Sequence, residues 1–203
     1  MIYLNEIKDT FLDFPNDCDI AVIAFFEGCS HNCNGCQNKH LAKRKSTNKR
    51  TWKFAYDSIK ERCERNNTNK VVLSGGDPFF DANEEDLSDM LSLISSLESD
   101  GFEVCVYTGS SIDHVINIYN VYGKSIDTIP TGWGYEQKVE MRCFSPTYLK
   151  CGRYDDTQLN LDMGKSDSCF VLASRNQDFY KKIDDEFTYE KLSTNGVLIF
   201  WNM

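Results

Sequence analysis

The chain has 203 residues, 41% hydrophobic and 13% aromatic, which is enough for one domain with a full apolar core and not the composition of a disordered chain. A formal net charge of −9 argues against nucleic-acid binding through phosphate contacts. No apolar run approaches the ~20 residues that cross a bilayer, and the start, Met1-Ile2-Tyr3-Leu4-Asn5-Glu6-Ile7, lacks a basic segment and a leader-like apolar core. The expectation is a protein with no membrane association, in the cytoplasm.

Residues 20–26 form a continuous apolar run, as expected of a strand buried on both faces of a parallel sheet. Directly behind it stands Gly28-Cys29-Ser30-His31-Asn32-Cys33-Asn34-Gly35-Cys36-Gln37-Asn38, with its cysteines spaced C-x3-C-x2-C. Nine cysteines in a reducing compartment point to metal binding or catalysis where they cluster. Thiolates at Cys29, Cys33 and Cys36 can hold three irons of a [4Fe-4S] cluster. The fourth iron then stays open to the amino and carboxylate groups of S-adenosylmethionine (SAM). A rival reading exists, because His40 extends the pattern to C-x3-C-x2-C-x3-H, a closed Cys3His zinc site. An ample core needs no such staple, and an acidic chain is a poor nucleic-acid reader. On the iron–sulfur reading His40 is a surface residue or one behind the ligands.

Lys39, Lys43, Arg44, Lys45, Lys49 and Arg50 follow as a basic island. It is either a solvated loop or a dock for an acidic, flavodoxin-like or ferredoxin-like electron donor. Residues 52–65 carry Trp52, Ala55, Tyr56, Ile59 and Cys63 at helical spacing. Residues 71–73 make a short strand ending at Ser74-Gly75-Gly76-Asp77-Pro78. Read alone this is a glycine turn between strand and helix. Beside the cysteines it reads as a SAM cradle, with backbone at Gly75 and Gly76 free to approach the ligand and Asp77 facing its amino group. Backbone at Gly35, Cys36 and Gln37 is expected to border the same ligand.

A helix is expected over 87–97, capped by Asn83 with acids in its first turn. Residues 102–107 form a strand ending at Thr108-Gly109, and 112–119 a helix. Residues 131–150 show no clear period and read as an insertion or irregular loop, while 169–173 and 197–201 read as late strands. Cys18, Cys63 and Cys105 read as small buried hydrophobes. Cys143, Cys151 and Cys169 lack the tight pairing of an auxiliary metal site. Strands alternating with helices predict a single α/β domain over 1–203 with a mainly parallel sheet. The cysteine, glycine and Thr108-Gly109 motifs then share the carboxyl rim of that sheet, where such folds build active sites.

The cysteine segment closely resembles the G-C-x-H-x-C-x-G-C-x-N signature of the anaerobic (class III) ribonucleotide reductase activating proteins, small radical-SAM activases; His31, Gly35 and Asn38 all fit it. Ser74-Gly75-Gly76-Asp77-Pro78 resembles the family's glycine motif, and Tyr107-Thr108-Gly109 its third-strand motif. Cys151-Gly152-Arg153-Tyr154 is similar to an Asp-Gly-Lys/Arg-Phe/Tyr run, with Cys151 in place of the acid, and Ser174-Arg175-Asn176-Gln177 to a late Ser-x-Asn-Gln run. The resemblance covers residues 21–122 well and 151–177 in patches; the tail beyond Tyr180 matches nothing recognised. It implies a partial (β/α) barrel of radical-SAM type. It further implies a reaction in which SAM is cleaved to methionine and a 5′-deoxyadenosyl radical, which takes a hydrogen atom from a glycine of the large reductase subunit. Gly123 and Gly134 stand beside tyrosines but lack the surroundings of a glycyl-radical loop, so the chain is expected to be the activator and not the radical carrier. Activation of a pyruvate formate-lyase type enzyme and a deazaguanine-forming synthase are alternatives with the same cluster. Both usually carry an aromatic residue where this chain has Gly35. A zinc-stapled binding module is the alternative of a different class.

Overall fold

Strand β1 (Ile2–Thr10) and strand β2 (Ala21–Phe26) pair antiparallel, and β3 (Lys49–Arg50) extends the β1 edge. Next come α1 (Trp52–Asn66), β4 (Lys70–Gly75), α2 (Glu84–Ser99), β5 (Glu103–Tyr107) and α3 (Ile112–Tyr122). A hairpin of β6 (Lys124–Pro130) and β7 (Glu136–Arg142) precedes β8 (Tyr148–Cys151), β9 (Asp178–Lys182) and β10 (Tyr189–Lys191). A short pair, β11 (Ser193–Thr194) and β12 (Val197–Leu198), closes the order. This computed structural model describes residues 1–15, 19–80, 83–130, 136–159, 172–184, 187–194 and 197–198.

Eight strands form one open sheet in the order β10-β9-β8-β5-β4-β2-β1-β3. Its centre, β2-β4-β5-β8, is parallel, and both flanks are antiparallel. The α/β class and the parallel core are thus as the sequence implies. Alternation along the central strands sorts their side chains onto two faces. Val22, Ala24, Phe26, Val71, Leu73, Val104, Val106 and Leu149 share a buried cluster with residues of α1, α2 and α3. Ala21, Ile23, Val72, Cys105 and Tyr148 face the other way, against Phe14, Leu172 and Phe179. Tyr148 stacks on Phe179 and meets Phe14 edge-on, at centroid distances of 5.8 and 5.6 Å.

The helices start where their caps dictate. Thr51 accepts from the Phe54 N–H, Asn83 from that of Asp86 and Ser111 from that of His114. α1 ends at Asn67 in the left-handed region, φ 51°. Each predicted helix and the first three predicted strands are present, with α3 running on to Tyr122.

Residues 131–150 differ from expectation. Glu136–Arg142 is strand β7, and Tyr148–Cys151 is β8, the fourth parallel strand. Four residues are too few to display a period, so β8 is recognisable only from its partners. β1 also went unassigned, although Ile2 and Leu4 are buried and alternate with less buried neighbours. Of the late strands, 169–171 and 199–201 lie outside the described residues; Val197–Leu198 is β12.

Candidate active site

The parallel strands end level with one another. Phe26 pairs with Gly75, Leu73 with Val106 and Tyr107 with Lys150. The loops that leave these ends are laced together by backbone bonds. Gly76 N–H donates to Phe26 O and Asp77 N–H to Gly28 O, both at 2.8 Å. On the far side Thr108 N–H donates to Lys150 O at 2.9 Å, and Gly152 N–H to Ser110 O at 3.0 Å. The cysteine loop returns along the 3-10 turn Lys39–Leu41, where Gly28 and Cys29 N–H donate to Leu41 and Ala42 O. Buried Glu27 anchors that return by accepting from Lys45 N–H and Asn48 Nδ2, each at 2.7 Å.

Asp77 lies at the centre of this lacing, 3% exposed. Its Oδ1 accepts from Phe79 N–H (3.0 Å) and Thr108 Oγ1 (2.8 Å). Its Oδ2 accepts from Gly109 N–H (3.0 Å) and His31 Nε2 (2.7 Å). One carboxylate therefore ties the cysteine loop, the glycine loop and the third-strand loop together. A buried charge saturated by four donors is stable where a bare one would not be. Gly109 is part of the same clasp, since a Cβ there would stand 2.2 Å from the His31 ring. Gly76 serves packing as well, because a Cβ there would be 2.3 Å from Gly28 O.

Cys29, Cys33 and Cys36 line one cavity with Gln37, Asn38, Ser74, Gly75, Gly76, Tyr107, Lys150, Tyr154 and Gln177. All three cysteines are free and partly exposed. Burial pushes the Cys29 thiol up, and the nearby charges of Asp77, Cys33 and Cys36 add to it against a hydrogen bond from the His31 backbone. Three thiols that would repel one another as anions are the donor set that a cationic centre relieves. His40 is exposed on the 3-10 turn and does not line this cavity. Among the described residues no three His, Cys, Asp or Glu side chains stand close enough to share a single metal ion.

The later motifs close the cavity from the other side. Gln177 donates through Nε2 to Gly152 O (3.2 Å), and Asn176 through Nδ2 to Arg153 O (2.8 Å). Asp156 then accepts from Asn34 Nδ2 at 2.6 Å, which joins this half of the chain to the cysteine loop.

Two kinds of comparison bear on identity. The 4Fe-4S single cluster domain model matches residues 20–133. The anaerobic ribonucleoside-triphosphate reductase-activating protein of Salmonella typhi is 30% identical over 123 residues, 54% of this chain and 76% of the relative. The protein of the same name from enterobacteria phage T4 is 27% identical over 124 residues, covering 59% and 74%. This chain belongs to the reductase-activating protein family. It is an enzyme of that class, built on an iron–sulfur domain. Among solved structures, QueE from Escherichia coli aligns over 54% of each chain with a TM-score of 0.41 and 21% identity. Among the described residues no helix is long and apolar enough to cross a membrane.

Against this family background, Cys29, Cys33, Cys36, Gln37, Gly75 and Gly76 come together in one cavity. Gly35 is exposed at its edge, beneath the Tyr154 ring, and is not part of the lining. Asp77 faces an adjoining cavity of about 490 Å³ with His31, His114 and Arg153, and its oxygens are engaged by the loops and not turned to the cysteines. Sequence reasoning did not single out Lys150, Tyr154 or Gln177 as lining residues, nor Glu27 and Thr108 as supports. Their signal was a strand of four residues and two partial motifs.

The two arginines of the basic island are structural, and its four lysines are exposed. Arg44 is clamped between the Tyr3 and Phe80 rings, 4.7 and 4.9 Å from their centroids, and donates to Asp86 at 2.5 Å. Arg50 caps the carbonyls of Thr47 and Lys49. Lys39, Lys43 and Lys49 remain exposed. Cys63 and Cys105 are buried, with burial raising Cys63 to about 12. Cys151 is buried in the helix-side core and Cys143 packs against it. Cys18 and Cys169 lie outside the described residues.

Proposed function

We propose that this enzyme cleaves SAM reductively at a [4Fe-4S] cluster held by Cys29, Cys33 and Cys36, and so places a glycyl radical on the large subunit of an anaerobic ribonucleotide reductase. The observation that carries the reading is that these three thiols converge with the Gly75–Gly76 backbone on one cavity at the carboxyl rim of the parallel strands. When bound, a reduced cluster supplies one electron to SAM, whose carbon–sulfur bond breaks to methionine and a 5′-deoxyadenosyl radical, and that radical takes a hydrogen atom from the glycine.

The chain's own residues have three tasks. The cysteines would hold three irons of the cluster, which would leave the fourth to the amino-acid end of SAM. Ser74, Gly75 and Gly76 would present backbone to that end, and Gln37 and Tyr154, which line the same cavity, would border the ligand. Asp77 acts one step behind, holding the three loops in register. Exposed Lys39, Lys43 and Lys49, next to the cysteine loop, suit the approach of an acidic flavodoxin-like or ferredoxin-like donor.

The test is to purify the chain without oxygen, reduce it with dithionite, add SAM and an anaerobic reductase large subunit, and record the electron paramagnetic resonance spectrum. A glycyl-radical signal that depends on SAM and on this chain is expected, with 5′-deoxyadenosine formed in parallel. Formation of 5′-deoxyadenosine without a radical on the reductase would redirect the reading to another glycyl-radical partner. Zinc in place of iron would overturn it.

A further inference from the structure

The inner face of the sheet changes character in its last row before the rim. The lower row, Ile23, Val72, Cys105 and Tyr148, is packed into the apolar cluster. One step higher stand Phe25 paired with Ser74, and Tyr107 paired with Lys150. Ser74, Tyr107 and Lys150 line the cavity that the three cysteines share. Lys150 is the one cation in that row.

Its position is set by neighbours. The ammonium lies 4.6 Å from the centroid of the Tyr107 ring. That ring is itself pinned, because the Tyr107 hydroxyl donates to Asp13 O at 2.5 Å. Among the described residues no carboxylate pairs with Lys150. Lys182, on the neighbouring strand β9, has Glu98 at 3.2 Å. Cys105, Asp13 and Cys36 act on the Lys150 charge through space without a direct ion pair, and an enclosed ammonium held only in that way gains from an anion in contact. Burial already holds the Lys150 ammonium down at about 8. The acid whose charge acts on Lys150 is Asp13, and its carboxylate already accepts from Thr10 Oγ1.

We propose that Lys150 receives the carboxylate of the amino-acid end of SAM, an inference that rests on the function proposed above. The ligand's amino group then lies toward the backbone of Ser74–Gly76 on β4, and its carboxylate toward β8, with Tyr107 between them. Lys150 precedes the Cys151-Gly152-Arg153-Tyr154 run and belongs to none of the motifs that mark the family resemblance.

The experiment is a binding cycle on the reconstituted holoprotein, by equilibrium dialysis without oxygen. SAM and its decarboxylated analogue are each titrated against the native chain, Lys150→Met and Lys150→Arg. A charge-assisted hydrogen bond predicts that Lys150→Met weakens SAM by roughly tenfold or more while changing the analogue by less than about twofold, and that Lys150→Arg recovers part of the loss. Any other contact that the carboxylate makes in the site is common to both proteins and cancels in the ratio. Equal weakening of the two ligands, or unchanged SAM affinity, would overturn the assignment of Lys150. Should the methionine variant fail to take up iron, Lys150→Gln is read by the same ratio. A native chain that holds its cluster yet binds neither ligand would instead refute the SAM reading of the cavity, and this inference with it.

Discussion

Asp77 and Lys150 are two enclosed charges at one rim, and the fold treats them in opposite ways. Asp77 is met by four donors from three loops and has no capacity left for a ligand. Lys150 is met by a ring and by no carboxylate among the described residues. A saturated buried charge builds a site, whereas an unsaturated one waits for something to bind. On the proposal made here, the carboxylate that the sequence marks as a ligand contact serves the architecture, and an unmarked lysine is the receptor.

The comparison has consequences of graded size. The largest concerns the proposed metal ligands: Cys33→Ala is expected to lose the brown colour, most of the iron and all SAM cleavage, as absorbance and iron analysis would show. A full cluster in that variant would contradict the ligand assignment. Asp77→Ala comes next. It strips two buried and two part-buried donors of their acceptor, so a loss of about 3–5 kcal/mol in unfolding free energy is expected by denaturant titration. Asp77→Asn keeps an acceptor and should lose less than half of that. Were Asp77 a ligand contact alone, both variants would keep native stability and lose only SAM affinity.

Gly109→Ala should fall in the middle, near 1–3 kcal/mol, because the new methyl overlaps the His31 ring and pushes it from Asp77. Gly76→Val cannot serve as a clean test of ligand binding, since its Cβ meets Gly28 backbone before it meets any ligand. Lys150→Met lies at the other end of the stability scale. Removing an enclosed charge that makes no direct ion pair should leave the unliganded protein within about 1 kcal/mol of native, or more stable. A large destabilisation would place Lys150 with Asp77 as architecture. The smallest effect is expected for His40→Ala, whose exposed ring lies off the cavity: iron and sulfide contents should match the native chain.

Much of the rim was legible because its signals are local. The apolar run before Cys29, the glycine pair after β4 and the caps at Thr51, Asn83 and Ser111 each lie within a few residues of what they determine. The parallel order follows from their alternation. What escaped is non-local. β8 is only four residues long and is defined by its pairing with Tyr107 on one side and Asp178–Lys182 on the other. Lys150 becomes a site residue only through that pairing. Asp77 illustrates the converse: its motif is plain in the sequence, but three of its four donors come from residues 46 places before and 31 and 32 after. The basic island likewise looked uniform, whereas Arg44 is half-buried against Tyr3 and Phe80 while the four lysines face solvent.

The most direct test of the central claim is the spectrum of the reduced cluster in the native chain as SAM is added. Protein prepared without oxygen should contain iron and acid-labile sulfide in equal amounts, and its electron paramagnetic resonance signal should shift on titration with SAM, reporting ligand at the open iron. Zinc without sulfide, or a cluster signal indifferent to saturating SAM, would contradict the account.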